Sequence, residues 1–193
     1  MKAWLNVPNL LTMARIALAP AFLWLYLKGD EDGALIAFAV AAATDALDGL
    51  AARLLGQQTR AGAFLDAAAD KLLAACALIA LSVKGQVPWW LTGLVVGRDV
   101  LLAVGSVFLV AHHAPLPVRP TRIGKYATAL VFFIVVVVLV VDYHDIPVAR
   151  STPWVAALGI LAGALVIGSA VQYASSFSAS VRLGRRTQDA PGR

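Results

Sequence analysis

Four aspartates within residues 45–70 sit inside or beside hydrophobic runs, and their spacing carries the chemistry: Asp45 and Asp48 are three apart, Asp66 and Asp70 four apart. On helices each pair projects from one face, about one turn separated. The stretch between them, Gly56-Gln57-Gln58-Thr59-Arg60-Ala61, is polar and contains glycine, as a short helix–helix connection requires. The spacing therefore predicts two helices facing each other as a hairpin, with four carboxylates converging near one end. Carboxylates held that close raise one another's pKa unless a positive charge lies among them, and a divalent cation supplies it. Hard oxygen ligands with no neighbouring His or Cys favour Mg²⁺ or Mn²⁺ over zinc. Magnesium held by a few carboxylates usually completes its shell with substrate phosphates, which points to phosphate-ester chemistry. Gly49, Ala52 and Gly62 leave room for a ligand or a neighbouring backbone, and Arg53 offers a fixed fork to phosphate oxygens. The competing reading has the aspartates reaching for the membrane surface or pairing with Arg53, Arg60 and Lys71. Four acids in two spaced pairs, joined by Gly and Arg, argue against it, since acids within a membrane mark function by default.

The elements that position these residues are dictated by composition. Of 193 residues 60% are hydrophobic and only 14% charged, and the mean hydropathy is +0.79, far from a soluble domain. Apolar runs of roughly 20 residues can each cross a hydrocarbon core of about 30 Å as a helix. Backbone groups must be satisfied internally there, so helices rather than open sheets are expected. The expected fold is an all-α, polytopic membrane bundle of six transmembrane helices with a short N-terminal interfacial segment. One membrane domain is expected over residues 1–181, followed by a basic, disordered cytoplasmic tail over 182–193. The first apolar run lacks a convincing cleavage site and is expected to be retained. Cys76, the single cysteine, reads as a small packing residue.

The first ten residues, with Lys2 and Trp4, suit the membrane surface, and Pro8-Asn9 marks a helix start. The spans are expected at about 11–27, 34–55, 62–83, 88–111, 125–141 and 153–177. Asn9, Thr12 and Arg15 recur at helical spacing in the first span, either as an interfacial polar edge or as part of the site. Polar turns stand at Lys28–Gly33 and Lys84–Gln86, and Trp89 and Trp90 suit an interfacial belt. Arg98-Asp99 lies inside the fourth span, where an ion pair is costly. Adjacent side chains on a helix diverge, so each is expected to face a different partner, Arg98 a carboxylate or a phosphate. His112 and His113 are adjacent rather than four apart and read as surface loop residues. Arg119, Arg122 and Lys125 form a basic cluster suited to phosphate, or else a topological signal. Six spans place both termini on one side with Lys2, Arg53, Arg60, Arg119, Arg122, Lys125, Arg182, Arg185, Arg186 and Arg193, against Lys28, Lys84 and Arg150 opposite. The positive-inside rule then puts the termini and the aspartate end in the cytoplasm, with Asp30, Glu31, Asp32, Asp142 and Asp145 outside.

Asp45, Asp48, Gly49, Ala52, Arg53, Gly62, Asp66 and Asp70 fit D-x2-D-G-x2-A-R-x8-G-x3-D-x3-D at every defined position. This resembles the signature of the CDP-alcohol phosphatidyltransferase family, and the likeness extends from the Pro8-Asn9-Leu10-Leu11-Thr12 segment through the sixth span. The resemblance implies transfer of a phosphatidyl group from CDP-diacylglycerol to an alcohol with release of CMP, in an integral protein expected in a bacterial inner membrane. It implies two Mg²⁺ or Mn²⁺ ions held by Asp45, Asp48, Asp66 and Asp70, with Asp70 also the catalytic base for the acceptor hydroxyl. Asp48, Gly49, Ala52, Arg53 and Gly62 would bind the CDP moiety, and Arg98, Arg119, Arg122 and Lys125 the acceptor. Arg98-Asp99-Val100, and Lys125 followed by Thr128-Ala129, look more like mitochondrial-type cardiolipin synthases, whose acceptor is phosphatidylglycerol. Phosphatidylglycerophosphate synthases usually show Arg-Glu at the first place and often a further lysine where Ala127 stands. Ala67 departs from the proline common after the third aspartate, which alters helix geometry and not ligation. The family also implies a homodimer, with lipids and not nucleic acid as partners.

Two rivals are weaker. Intramembrane prenyltransferases normally use two separate Asp-rich motifs, and a second one does not occur here. An ion or proton transporter predicts acids spread through the membrane depth on discontinuous helices, whereas here they cluster with Gly, Ala and Arg between them.

Overall fold

The apolar runs fold as helices. A computed structural model describes residues 7–54, 60–111, 122–144 and 153–188, and every element in it is α-helical: α1 (Val7–Lys28), α2 (Glu31–Leu54), α3 (Arg60–Val83), α4 (Trp89–Ala111), α5 (Arg122–Tyr143) and α6 (Pro153–Gln188). Among the described residues four stretches are long and apolar enough to cross a membrane: Asn9–Lys28, Trp89–Phe108, Ile123–Tyr143 and Ala156–Ser175. Pro8, Asn9 and Leu10, expected before the first span, already belong to α1, while residues 1–6 of the expected interfacial segment lie outside the described residues. α6 runs past the expected end at Phe177 and through the first part of the basic segment to Gln188, because its only glycine there, Gly184, is tolerated in a helix and the first proline comes at Pro191.

The chain divides into two compact units. The first holds α1, α2, α3 and the end of α5 from Val135; the second holds α4 from Trp90, α5 up to Ile134, and α6. In the first unit α1 packs along both α2 and α3, which among the described residues meet each other little. The expected face-to-face pairing of α2 with α3 is therefore replaced by a three-helix arrangement with α1 between them. Sequence periodicity explains the choice. On α1 one stripe, Asn9, Thr12, Arg15, Ala19, Phe22 and Tyr26, is buried along its whole length. On α2 the buried stripe is Ala34, Ala37, Phe38, Ala41 and Thr44, and on α3 it is Ala69, Leu73, Cys76, Ala77 and Ala80. Alanine faces let backbones approach closely, the main source of attraction between helices that lipid already solvates. Phe22 fills the wider end, its ring 5.4 Å from that of Phe38 and 5.7 Å from that of Tyr26.

Both tight turns in this unit end their helices on a left-handed glycine. Gly29 (φ 83°) and Gly85 (φ 80°) follow α1 and α3. The amide of Asp30 donates to the Leu25 carbonyl (3.1 Å) and that of Gln86 to the Leu81 carbonyl (2.8 Å), closing the last turns. Asp30 then caps α2, its Oδ1 accepting from the Gly33 amide at 3.0 Å.

At the same end Asp142 of α5 accepts hydrogen bonds from the Tyr26 hydroxyl and the Gln86 amide. Lys84 bridges Glu31 (3.0 Å) and Asp142 (3.7 Å) and lies over the Tyr26 ring. Tyr143 donates to Asp32 at 2.9 Å. Glu31, Asp32 and Asp142, three of the five acids expected on one side, thus fasten the end of α5 to α1, α2 and the turn after α3, while Asp145 lies outside the described residues.

In the second unit glycines admit aromatic rings between α4 and α6. A Cβ on Gly163 would stand 2.8 Å from the Trp90 ring, and one on Gly105 3.0 Å from the Tyr173 hydroxyl.

Replacing Asp142 with Ala leaves the Tyr26 hydroxyl and the Gln86 amide without this acceptor. The unfolding free energy in detergent should fall by about 1–3 kcal/mol. A denaturation midpoint equal to that of the parent chain would show that the network carries no stability.

Candidate metal centre

The aspartates continue the buried stripes of their helices. One turn beyond Ala41 on α2 stands Asp45, and Asp66 and Asp70 flank Ala69 on α3. Because α2 and α3 both pack on α1, the three carboxylates converge on that helix. One oxygen from each of Asp45, Asp66 and Asp70 lies within 4.8 Å of the others. Their side chains remain 50%, 42% and 48% exposed, so the cluster is open on one side.

Its closed side is formed by Arg15, whose side chain is fully buried. A single guanidinium nitrogen, Nη1, donates to Asp66 Oδ1 at 3.1 Å and Asp70 Oδ1 at 2.5 Å and forms an ion pair with Asp45 Oδ1 at 2.8 Å. Charge-assisted contacts of this kind are what make a buried guanidinium tolerable. The periodicity of Asn9, Thr12 and Arg15 allowed either a surface edge or a role in the site; all three are buried, and Arg15 touches the aspartates. The Arg53 and Arg60 side chains lie outside the described residues, and Arg15 pairs with Asp45, Asp66 and Asp70.

Asp48 lies on α2 three residues beyond Asp45, and Gly49, Ala52 and Arg53 follow on the same helix; their side chains lie outside the described residues. Gly62 is in the first turn of α3 and half-buried. α3 runs unbroken through Ala67. Among the acceptor candidates, Arg98 is on α4, where Nε donates to Ser169 Oγ of α6 at 3.1 Å and Nη1 pairs with Asp99 Oδ1 at 2.7 Å. This corrects the expectation that Arg98 and Asp99 face different partners. The Cβ vectors do diverge, but the long arginine arm curls back to its neighbour, and at 13% exposure each charge is better neutralised by the other than left alone. Lys125 is exposed in the first turn of α5; Arg122 opens that helix with its side chain outside the described residues, and Arg119 lies outside them altogether.

Three half-exposed carboxylates supply hard oxygen donors, with room beside them for water or phosphate oxygens, a donor set that fits Mg²⁺ or Mn²⁺. Comparison with known proteins gives this chemistry a context. The sequence model of the CDP-alcohol phosphatidyltransferase family matches residues 5–172. A Streptomyces coelicolor protein named cardiolipin synthase (CMP-forming) is 33% identical over 82% of this chain and 73% of its own length. A Mycobacterium tuberculosis protein provisionally named a cardiolipin synthase is 39% identical over 64% of this chain, a match spanning 59% of that relative. Another from the same organism, provisionally named a phosphatidylglycerophosphate synthase, is 42% identical over 51% of this chain and 50% of its own length. With the match running through most of its length, this chain belongs to the CDP-alcohol phosphatidyltransferase family.

Proposed function

We propose that this chain transfers the phosphatidyl group of CDP-diacylglycerol to the hydroxyl of phosphatidylglycerol, forming cardiolipin and releasing CMP. The observation that carries the reading is the convergence of Asp45, Asp66 and Asp70 at one end of the first unit. A relay for ions or protons would distribute its acids through the membrane depth.

Asp45, Asp48, Asp66 and Asp70 would together hold two Mg²⁺ or Mn²⁺ ions, which when bound neutralise the diphosphate and the charge gathering on the leaving CMP. Gly49, Ala52 and Gly62 leave space for the cytidine and diphosphate, while Asp48 and Arg53 contact them. Asp70 takes the proton of the acceptor hydroxyl as its oxygen bonds to the phosphatidyl phosphorus and the bond to the CMP oxygen breaks. Arg98, Arg119, Arg122 and Lys125 hold the acceptor's phosphate.

Support for phosphatidylglycerol comes from Arg98-Asp99-Val100, from Thr128-Ala129 after Lys125, and from Ala127, which is 1% exposed and brings no charge to its position. The name of the Streptomyces coelicolor relative agrees with it. A second reading, glycerol 3-phosphate as acceptor, draws on the relative named for phosphatidylglycerophosphate synthesis.

The same proposal takes α2 and α3 as transmembrane, making six spans over a membrane domain of residues 1–181, preceded by a short interfacial segment and followed by a cytoplasmic tail from 182. The termini and the aspartate end face the cytoplasm of a bacterial inner membrane, and the protein acts as a homodimer, the last by family resemblance alone.

The test is CMP release by the purified protein in detergent with CDP-diacylglycerol and Mg²⁺ or Mn²⁺, supplying phosphatidylglycerol, glycerol 3-phosphate, inositol phosphate or serine. Release with phosphatidylglycerol, abolished by EDTA, is the expected result. Release with glycerol 3-phosphate alone would move the assignment to the second reading, and none with any acceptor, in folded protein, would sink phosphatidyl transfer. Asp70→Asn should lower CMP release by about 10²-fold or more while the unfolding midpoint stays near that of the parent chain.

A further inference from the structure

Arg15 is a fully buried cation that touches one oxygen of each carboxylate that could hold a divalent ion. It reaches them from α1, the helix that lies between the two carrying the aspartates. Three acid oxygens within 4.8 Å of one another repel unless a positive charge stands among them, and the Arg15 guanidinium supplies one. The contact has a second consequence. A cation bound to the same carboxylates meets Arg15 as a like charge at close range, and Nη1 holds one oxygen of each that the ion would otherwise use.

We infer that Arg15 is a positioning residue that gathers Asp45, Asp66 and Asp70 before the divalent ion arrives and competes with that ion for them. The inference rests on the reading of these aspartates as metal ligands. It sets ion affinity below what the carboxylates alone would give, and makes the ion-free fold independent of metal.

The purified full-length chain in detergent is titrated with Mn²⁺, free ion being read by electron paramagnetic resonance, and its thermal unfolding is followed in EDTA and in Mn²⁺. Arg15→Gln should bind Mn²⁺ about tenfold more tightly, since a close like charge is removed. In EDTA its unfolding midpoint should fall below that of the parent chain, and the rise on adding Mn²⁺ should be larger. A residue that merely shaped the site would move affinity the other way on removal. Arg15→Lys keeps the charge without the planar fork, and should leave Mn²⁺ affinity close to that of the parent chain with a lower midpoint in EDTA. Arg15→Gln binding Mn²⁺ no more tightly than the parent, or Arg15→Lys losing affinity by an order of magnitude where the Gln variant does not fold, overturns the proposal and leaves the metal reading standing. A parent chain that neither binds Mn²⁺ nor is stabilised by it removes the metal reading itself, and this proposal with it.

Discussion

The arrangement of the first unit depends on one electrostatic constraint: carboxylates from two helices brought together need a positive charge among them. Arg15 meets that need from a third helix, and so fixes which helices are neighbours. α2 and α3 do not close on each other across their acids; α1 stands between them with its guanidinium against all three carboxylates. Coulomb attraction is strong here because the guanidinium is withdrawn from water, while the half-exposed acids remain reachable from one side. A buried guanidinium so placed is a demanding structural element, since it would be stranded if all three carboxylates were lost.

The remainder of the unit holds that contact in register. In lipid, apolar side chains gain little by leaving the surrounding tails, so close backbone approach and polar ties between helices carry the packing. The alanine stripes of α2 and α3 give the first. Ties of the second kind gather at the opposite end, where Tyr26, Glu31, Lys84, Gln86 and Asp142 join across α1, α2, α5 and the turn after α3. Gly29 and Gly85 set the turns there by adopting a conformation that side-chain-bearing residues resist. On α1 one stripe serves both purposes: Tyr26 is in the polar tie, Phe22 and Ala19 pack, and Arg15 meets the acids.

Much of this was legible from residue types. Aspartates inside apolar runs are rare enough that two pairs at helical spacing single out a candidate site, and Asp45, Asp66 and Asp70 do converge, while the Asp48 side chain lies outside the described residues. The helices and both glycine turns were equally plain. Periodicity is silent, however, on which face of a helix turns inward when the other faces are also apolar, so Asn9, Thr12 and Arg15 could be grouped but not placed. It is also silent on the number of helices that share a contact, which is why α2 and α3 read as a simple hairpin. Arg98 and Asp99 were misjudged for a different reason: spacing rules describe where Cβ atoms point, and arginine has enough rotatable bonds to return to an adjacent residue.

That last pairing bears on the choice of acceptor. Glycerol 3-phosphate carries a phosphate monoester, close to a dianion at neutral pH, whereas phosphatidylglycerol offers a diester with a single negative charge. Recognising the first calls for more uncompensated positive charge than recognising the second. Arg98 is already neutralised in part by Asp99 at 2.7 Å, with Ser169 taking its Nε hydrogen bond. Ala127 is buried and neutral. A diester that brings its own acyl chains into the membrane needs less from these side chains, because the lipid phase already confines it and the protein has only to orient its headgroup. The local charge at Arg98 and Ala127 is in keeping with the proposed lipid acceptor, and Lys125 stands exposed in the first turn of α5.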